Sequence, residues 1–276
     1  MMKKQYALMA IVYVLAFLGI QGMSGVVVKL VSVALKESPL MASYGAQTIL
    51  SMVLFSVAAV VVFVWARWFK PSASYMRSRP WVVLLWSVMA ALGAIIPSMF
   101  CQELMPEWPK WLQEIVDQSE RQLVMLMQTR GGYFVLALLA PVVEEMVFRG
   151  CVLRDLLRWQ PERRWLMIGL SALLFALSHI NPAQMPHAFV IGVLLGWMYS
   201  RTGSIVPGIA FHWANNTAAY LFYVMYPNPH IRLVDVFGGR HHSAVMAVVF
   251  SLFILVPALV QLNQHMRRPA DRQKEQ

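Results

Sequence analysis

Apolar residues along this chain fall into long runs, and short polar or charged segments separate them. A helix needs about 20 residues to cross the ~30 Å hydrocarbon core of a bilayer, and most of the runs approach or exceed that length. The pattern predicts an all-α fold, a polytopic membrane protein with about eight transmembrane helices. The runs cover residues 7–28, 41–66, 81–102, 133–153, 165–180, 187–200, 204–226 and 243–264.

Composition supports a membrane protein and explains the net charge. The chain has 276 residues, of which 59% are hydrophobic and 13% charged, and its net charge is +10. Soluble domains have about 25% charged residues. The basic residues gather in the loops after the second and fourth runs and in the tail, so a nucleic-acid partner is not predicted. The positive-inside rule then predicts a multi-pass protein of the cell membrane, with both termini and the tail at 265–276 in the cytoplasm.

The segment at 103–132 differs from the other loops. It has five acidic and three basic residues, and Trp111, Leu112, Ile115 and Val116 recur at helical spacing. Its net acidity predicts an extracytoplasmic position. The spacing fits an amphipathic helix at the membrane interface, and it fits equally a helix packed over the mouth of the bundle.

The run at 133–153 contains the strongest candidate for a functional site. Glu144 and Glu145 interrupt it, and Arg149 follows one helical turn after Glu145. Ionisable residues inside a span are costly and mark functional sites. On a helix, Glu145 and Arg149 can pair at i and i+4, whereas Glu144 points about 100° away and needs another partner. A buried structural salt bridge with a spare acid is the alternative interpretation.

Two further runs contain polar residues at helical spacing. Phe175 and His179 share one face of the fifth predicted span, and His212 and Asn216 share one face of the seventh. Asn215 lies beside them but is expected to point elsewhere. Because buried polar groups need partners, we expect these side chains to meet one another and the acidic pair.

The expected depths of these residues in the bilayer agree only in part with contact between their side chains. Glu144 lies 11 residues from the outer end of its run and His212 lies 8 residues from the inner end of its own. At ~1.5 Å per residue, both are near the middle of the bilayer, roughly 16 Å and 12 Å from those ends. His179 falls nearer the outer surface, which fits a tilted span or a tall cavity.

Three motifs resemble those of a known family. The segments EEMVFR, FALSH and HWANN match, in order, E-E-x-x-x-R, F-x-x-x-H and H-x-x-x-N/D. These are motifs of the CPBP family of intramembrane proteases, which includes CAAX prenyl endopeptidases and bacterial proteins of the Abi or bacteriocin-immunity type. The resemblance implies hydrolysis of a peptide bond within the membrane. It also implies that Glu145 and Arg149 are a supporting pair and that Phe175 is a supporting residue of the second motif.

The resemblance implies a role for each remaining motif residue. Glu144 is expected to be the general base that activates water, and His179 to help hold that water. His212 and Asn216 are expected to stabilise the oxyanion of the tetrahedral intermediate. A glutamate and two histidines can also bind zinc, so Glu144, His179 and His212 are the alternative metal ligands. The three would come from three helices without an H-E-x-x-H motif, so we favour a mechanism without metal or other cofactor.

The sequence therefore predicts an intramembrane endopeptidase of the CAAX prenyl protease 2 type. Its expected partners are the lipid bilayer and a membrane-associated protein or peptide substrate. We expect one integral-membrane domain over residues 1–276, with the catalytic core at 133–226. Two alternatives stay open, a catalytically silent immunity or scaffold protein on the same fold and an ion-coupled transporter. The sequence has no inverted repeat that would favour the transporter.

Overall fold

All regular elements in the described part of the chain are helical, which confirms the all-α class. The computed structural model describes residues 2–35, 38, 43–103, 109–179, 181–228 and 231–266. Parts of the predicted outer segment and of the predicted tail, residues 104–108 and 267–276, lie outside the described residues. The helices are α1 (Met2–Ala34), α2 (Tyr44–Trp65), α3 (Ser74–Arg77), α4 (Trp81–Glu103), α5 (Lys110–Gln128), α6 (Ala140–Val147), α7 (Arg154–Trp159), α8 (Arg164–Leu177), α9 (Met185–Thr202), α10 (Val206–Met225), α11 (Leu233–Val236) and α12 (His241–His265).

Helices occur at all eight predicted runs, although the count of eight membrane spans is not confirmed. Four helices in the described residues are long and apolar enough to cross a membrane: Lys4–Ala34, Tyr44–Trp65, Trp81–Cys101 and His241–His265. The protein is thus a polytopic helical membrane protein. The other four runs differ because α8 has only 14 residues, the 133–153 run is divided by π-helical segments, and α9 and α10 carry more polar residues.

The buried apolar residues form two packed clusters. The first joins α1, α2, α6–α8 and the start of α9, and it contains edge-to-face aromatic pairs. Phe17 contacts Phe55 and Phe148, with ring centroids 5.1 and 5.2 Å apart, and Phe148 contacts Phe175 at 5.2 Å. The second cluster joins α4, α9, α10 and α12. Since α6 and α10 belong to different clusters, side chains that meet between these two helices lie at the junction.

The contact between α4 and α12 depends on a glycine and a proline. A Cβ atom on Gly93 would lie 2.7 Å from the backbone nitrogen of Leu255, so only glycine allows the two backbones to come this close. Pro97 has no N–H to donate to the Gly93 carbonyl, and the Ser251 hydroxyl donates to that carbonyl instead, at 2.6 Å. A neighbouring helix commonly satisfies a carbonyl that proline frees within a membrane protein.

Polar side chains form hydrogen bonds between α1 and α7, the helix that follows the acidic pair. The Tyr13 hydroxyl donates to the buried carboxylate of Asp155 at 2.9 Å, and Arg154 pairs with the same carboxylate at 2.8 Å. Arg154 also donates to the carbonyl of Trp68 at 2.7 Å. Residues 154–159 were predicted to begin a basic loop, and the structure shows that they continue as α7.

The G-x-x-x-G pair of α9 lies against α8. Cβ atoms on Gly192 and Gly196 would lie 2.9 Å from Ala172 Cβ and from Ile168 Cγ2 respectively. Close helix contact is what this spacing predicts. It brings the backbone of α9 near the acidic pair.

Helix α5 has features of both predicted alternatives, the amphipathic helix at the interface and the helix packed on the bundle. Its C-terminal end is bound to α10, where Tyr220 donates to the Met127 carbonyl and Gln128 donates to the Tyr223 hydroxyl, both at 3.0 Å. Nearer its N-terminus, Trp111 and Ile115 are exposed. The helix is therefore packed on the bundle at one end and presents apolar residues outward at the other.

Candidate active site

The helix that carries the acidic pair has an unusual backbone. π-Helical segments, Phe134–Leu139 and Phe148–Leu153, flank α6 on both sides. The Ala140 N–H donates to the Val135 carbonyl, five residues back. The next N–H in this pattern would donate to Leu136, but residue 141 is proline. The Leu136 carbonyl is therefore free of these two helical bonds, and π-helical turns are frequent at functional sites.

Glu145 and Arg149 form the buried ion pair that their spacing predicts. Arg149 Nη1 lies 2.7 Å from Glu145 Oε1, and neither side chain is exposed. Arg149 Nη2 donates to the Gly192 carbonyl at 3.2 Å, and the guanidinium lies 4.4 Å from the centroid of the Phe175 ring. Arg149 thus joins three helical elements and neutralises one of the two carboxylates.

His212 lies between the two glutamates. Its Nε2 is 3.6 Å from Glu144 Oε2, and its Nδ1 is 3.4 Å from Glu145 Oε1. Both distances suit ion pairs but are longer than good hydrogen bonds. Glu144 Oε2 and His212 Nδ1 are buried and form no hydrogen bond with the described residues. Because Glu144 Oε2 and the His212 ring face each other without a hydrogen bond between them, they can bind a third group.

Gly208 allows α10 to approach the acidic pair, and the sequence analysis did not identify it. A Cβ atom at this position would lie 2.5 Å from Glu145 Oε2. The same carboxylate is bound by Arg149 and cannot easily move aside. Because Gly208 lies one turn before His212, this close approach also determines how near His212 comes to Glu144.

The Phe175 ring separates two histidines. Its centroid lies 4.8 Å from that of His179 and 5.9 Å from that of His212, both edge to face. His179 Nδ1 is 2.9 Å from the Phe175 carbonyl. A carbonyl only accepts, so Nδ1 carries the proton, and in the neutral ring Nε2 keeps its lone pair. His179 is therefore near the site, although its position along the sequence suggested a shallower depth.

Asn216 lies one turn beyond His212 and contacts the helix of the acidic pair. Its Nδ2 donates to the free Leu136 carbonyl at 3.0 Å. Asn215 was expected to point elsewhere, but its Nδ2 donates to Asn216 Oδ1 at 3.2 Å. The adjacent residue is thus part of the same hydrogen-bonded group.

Ser98 and His187 were also missed. The Ser98 hydroxyl, on α4, forms a hydrogen bond with His187 Nδ1 at the start of α9. His187 is half-buried. A single histidine at the start of a helix gives no sequence signal of this proximity.

Metal binding is the alternative role of three of the motif residues. Glu144, His179 and His212 are all described, yet no group of three His, Cys, Asp or Glu side chains in the described residues is placed to hold a metal ion. Metal content is measured in the experiment proposed below.

The fold and the site together define a class, a polytopic helical membrane protein in which acidic, basic and imidazole side chains meet between packed helices. Residues 128–218 match the family model described as type II CAAX prenyl endopeptidase Rce1-like. The match covers about a third of the chain and contains all three motifs. This segment is similar to the Rce1-like family, which confirms the resemblance predicted from the motifs. No curated protein and no solved structure gives a significant match.

Proposed function

We propose that this protein is an intramembrane endopeptidase that hydrolyses a peptide bond with water activated by Glu144. The observation that carries the proposal is the position of Glu144 Oε2, buried without a hydrogen bond to the described residues and 3.6 Å from His212 Nε2. A carboxylate and an imidazole that face each other in this way can hold a water and a peptide carbonyl between them. The Rce1-like family supports a membrane-associated protein substrate.

Glu144 is the base because its neighbour cannot be. Arg149 fully engages Glu145 Oε1, and that pair is inaccessible, whereas the Glu144 side chain keeps 19% of its surface exposed. Arg149 balances only one of the two carboxylates. When Glu144 takes a proton from water, the uncompensated negative charge passes from its carboxylate to the hydroxide. The hydroxide formed attacks the peptide carbonyl carbon.

His179 helps hold the water, and it is suited to that role by its tautomer. With the Nδ1 proton donated to the Phe175 carbonyl, Nε2 can accept a hydrogen bond from water. The contact with Phe175 fixes the plane of the imidazole ring.

His212 and Asn216 stabilise the oxyanion that forms when the carbonyl is attacked. They are at i and i+4 on α10, so their donors face the same side of the helix. Donors held in place before the reaction are worth most where water is scarce. When the intermediate collapses, Glu144 returns its proton to the leaving amine, so the protonation of the enzyme is restored.

The test uses purified protein in lipid nanodiscs and two quenched fluorogenic peptides that end in a CAAX sequence, one with an S-farnesyl cysteine and one unmodified. We expect the wild type to cleave one or both, and Glu144→Gln to lose at least ~10²-fold in kcat, since general-base catalysis is worth 10²–10⁴. Gln has nearly the same shape, so the melting temperature should change little.

Metal content is measured on the same samples, with and without chelator. We expect activity that survives the chelator. Near-normal turnover of Glu144→Gln would contradict the glutamate mechanism. Stoichiometric zinc that disappears in His212→Ala, together with loss of activity on chelation, would replace it with a metalloprotease. A wild-type protein that cleaves neither peptide would contradict the proposed activity on this substrate class. It would favour the alternative, a catalytically silent immunity or scaffold protein.

A further inference from the structure

Asn215 and Asn216 form a pair of side-chain amides next to the proposed oxyanion site. Asn215 is only 8% exposed, and its Nδ2 donates to Asn216 Oδ1 at 3.2 Å. Asn216 Nδ2 in turn donates to the Leu136 carbonyl at 3.0 Å. The amide of Asn216 is therefore bound at both its oxygen and its nitrogen.

The Leu136 carbonyl can accept this bond because of the backbone around it. In an α-helix the N–H of residue 140 would take it, but the Ala140 N–H bonds to Val135. In a π-helix the N–H of residue 141 would take it, but Pro141 has none. A buried carbonyl without a partner is unfavourable, so this acceptor attracts the Asn216 side chain.

With the Asn215 amide in its present orientation, these two contacts favour one orientation of the Asn216 amide. If the amide rotated by 180°, Oδ1 would face the Leu136 carbonyl oxygen, and Nδ2 would face the Asn215 Nδ2. Acceptor would meet acceptor and donor would meet donor. Side-chain amides have two N–H groups, so one remains after the bond to Leu136.

We propose that Asn215 is a positioning residue, which together with the free Leu136 carbonyl holds the Asn216 amide with its remaining N–H directed at the oxyanion. This inference rests on the proposed function, in which Asn216 is an oxyanion donor. Asn215 does not touch the substrate. It acts by keeping Asn216 Oδ1, an acceptor that would repel the oxyanion, turned away from the reacting carbonyl.

The kinetic test compares Asn215→Leu, which has a similar shape but no donor, in two backgrounds with the two quenched peptides. In the wild type we expect kcat to fall about five- to tenfold with KM unchanged, the loss expected for one hydrogen bond. In Asn216→Ala, whose own loss should be ~10²–10³-fold, Asn215→Leu should cause no further loss. A general structural role would lower kcat in both backgrounds.

Two variants serve as controls. Thr217→Val removes a neighbouring hydrogen bond of similar length, between Thr217 Oγ1 and the Tyr133 hydroxyl at 3.2 Å, and leaves the Asn216 side chain in place. It should keep wild-type kcat. Asn215→Gln keeps an amide donor and should recover part of the turnover that Asn215→Leu loses.

A crystal structure of Asn215→Leu provides a measurement independent of activity. We expect the Asn216 amide to leave the Leu136 carbonyl or to occupy two orientations. An Asn216 amide unchanged in that structure, or equal losses of kcat in both backgrounds, would overturn the positioning role. If Asn216→Ala itself keeps full activity, the oxyanion role fails instead, and the structure still decides whether Asn215 orients Asn216.

Discussion

The Arg149 guanidinium makes three different contacts from a fully buried position: an ion pair, a hydrogen bond to a backbone carbonyl, and a face contact with an aromatic ring. A side chain of this size without solvent exposure is held by its partners rather than by water. Removing it would leave the carboxylate of Glu145 buried without its guanidinium partner. We therefore expect Arg149 to matter for stability before it matters for chemistry.

Arg149→Ala should lower the free energy of unfolding by about 3–5 kcal/mol, the usual cost of removing one partner of a buried ion pair. Thermal unfolding in nanodiscs measures this loss. Arg158→Ala is the matched control, because Arg158 is mostly exposed and its pair with Asp155 is 3.3 Å long. Asp155 keeps Tyr13 and Arg154 as partners in this variant, so the loss should be about 0–1 kcal/mol, as for a surface pair. Equal melting temperatures for the two variants would show that the Arg149 pair does not stabilise the protein.

Gly208 is the second residue whose substitution has a clear expected result. Gly208→Ala would place a methyl group 2.5 Å from Glu145 Oε2, so α10 must move away and His212 must move with it. A displacement of about 1 Å can cost 10²-fold in rate. We expect a fall in kcat of that order. Gly169→Ala, where a Cβ would meet nothing within 4 Å, should leave kcat unchanged.

At the scale of elements, the π-helical segments around α6 determine which carbonyls are available to side chains. Pro141 prevents the helix from bonding the Leu136 carbonyl, and Asn216 takes that position. The backbone of one helix is thus used to orient a side chain of another.

Pro141→Ala should lower turnover without lowering stability. The new N–H can bond within the helix and compete with Asn216 for the Leu136 carbonyl, while removal of proline from a helix interior relieves up to ~3 kcal/mol. Pro257→Ala provides the comparison, because Pro257 is also inside a helix but on α12. It should alter the melting temperature and leave kcat unchanged. An unchanged kcat in Pro141→Ala would show that the hydrogen bond from Asn216 to the Leu136 carbonyl does not affect turnover.

The sequence predicted the position of nearly every helix because long apolar runs are local signals. It also predicted the pairing of Glu145 with Arg149, since i and i+4 spacing is enough. It did not predict the π-helical segments, because no short pattern distinguishes them from an α-helix. Gly208 and the bond between Asn215 and Asn216 were missed for a different reason. Both depend on how close α10 comes to the acidic helix, and this distance has no local sequence signal.

At the scale of the whole molecule, the candidate site lies between two packed clusters. The glutamates belong to the side that contains α1, α2 and α8, and His212 belongs to the side that contains α4, α9 and α12. The distance between Glu144 and His212 therefore depends on how the two clusters meet. Substitutions far from the site that shift one cluster against the other should alter turnover.

The contact between α4 and α12 allows a direct test of stability. Gly93→Ala would place a methyl group 2.7 Å from the Leu255 backbone nitrogen, which cannot rotate away. We expect a loss of about 1–3 kcal/mol, as for other overpacked sites. Gly22→Ala on α1 meets open space and should be neutral or slightly stabilising. Equal unfolding curves for both variants would contradict the close contact.

The hydrogen bond between Ser251 and Gly93 also has a consequence during synthesis, because its two residues are 158 positions apart. At about 5–20 residues per second, the ribosome needs roughly eight to thirty seconds to make the chain between them. During that time α4 is made but α12 is not. The Gly93 carbonyl therefore has no hydrogen bond from the Ser251 hydroxyl. Substitutions at Ser251 should therefore leave early insertion of the chain intact and delay only the final docking of α12, after translation has passed residue 251.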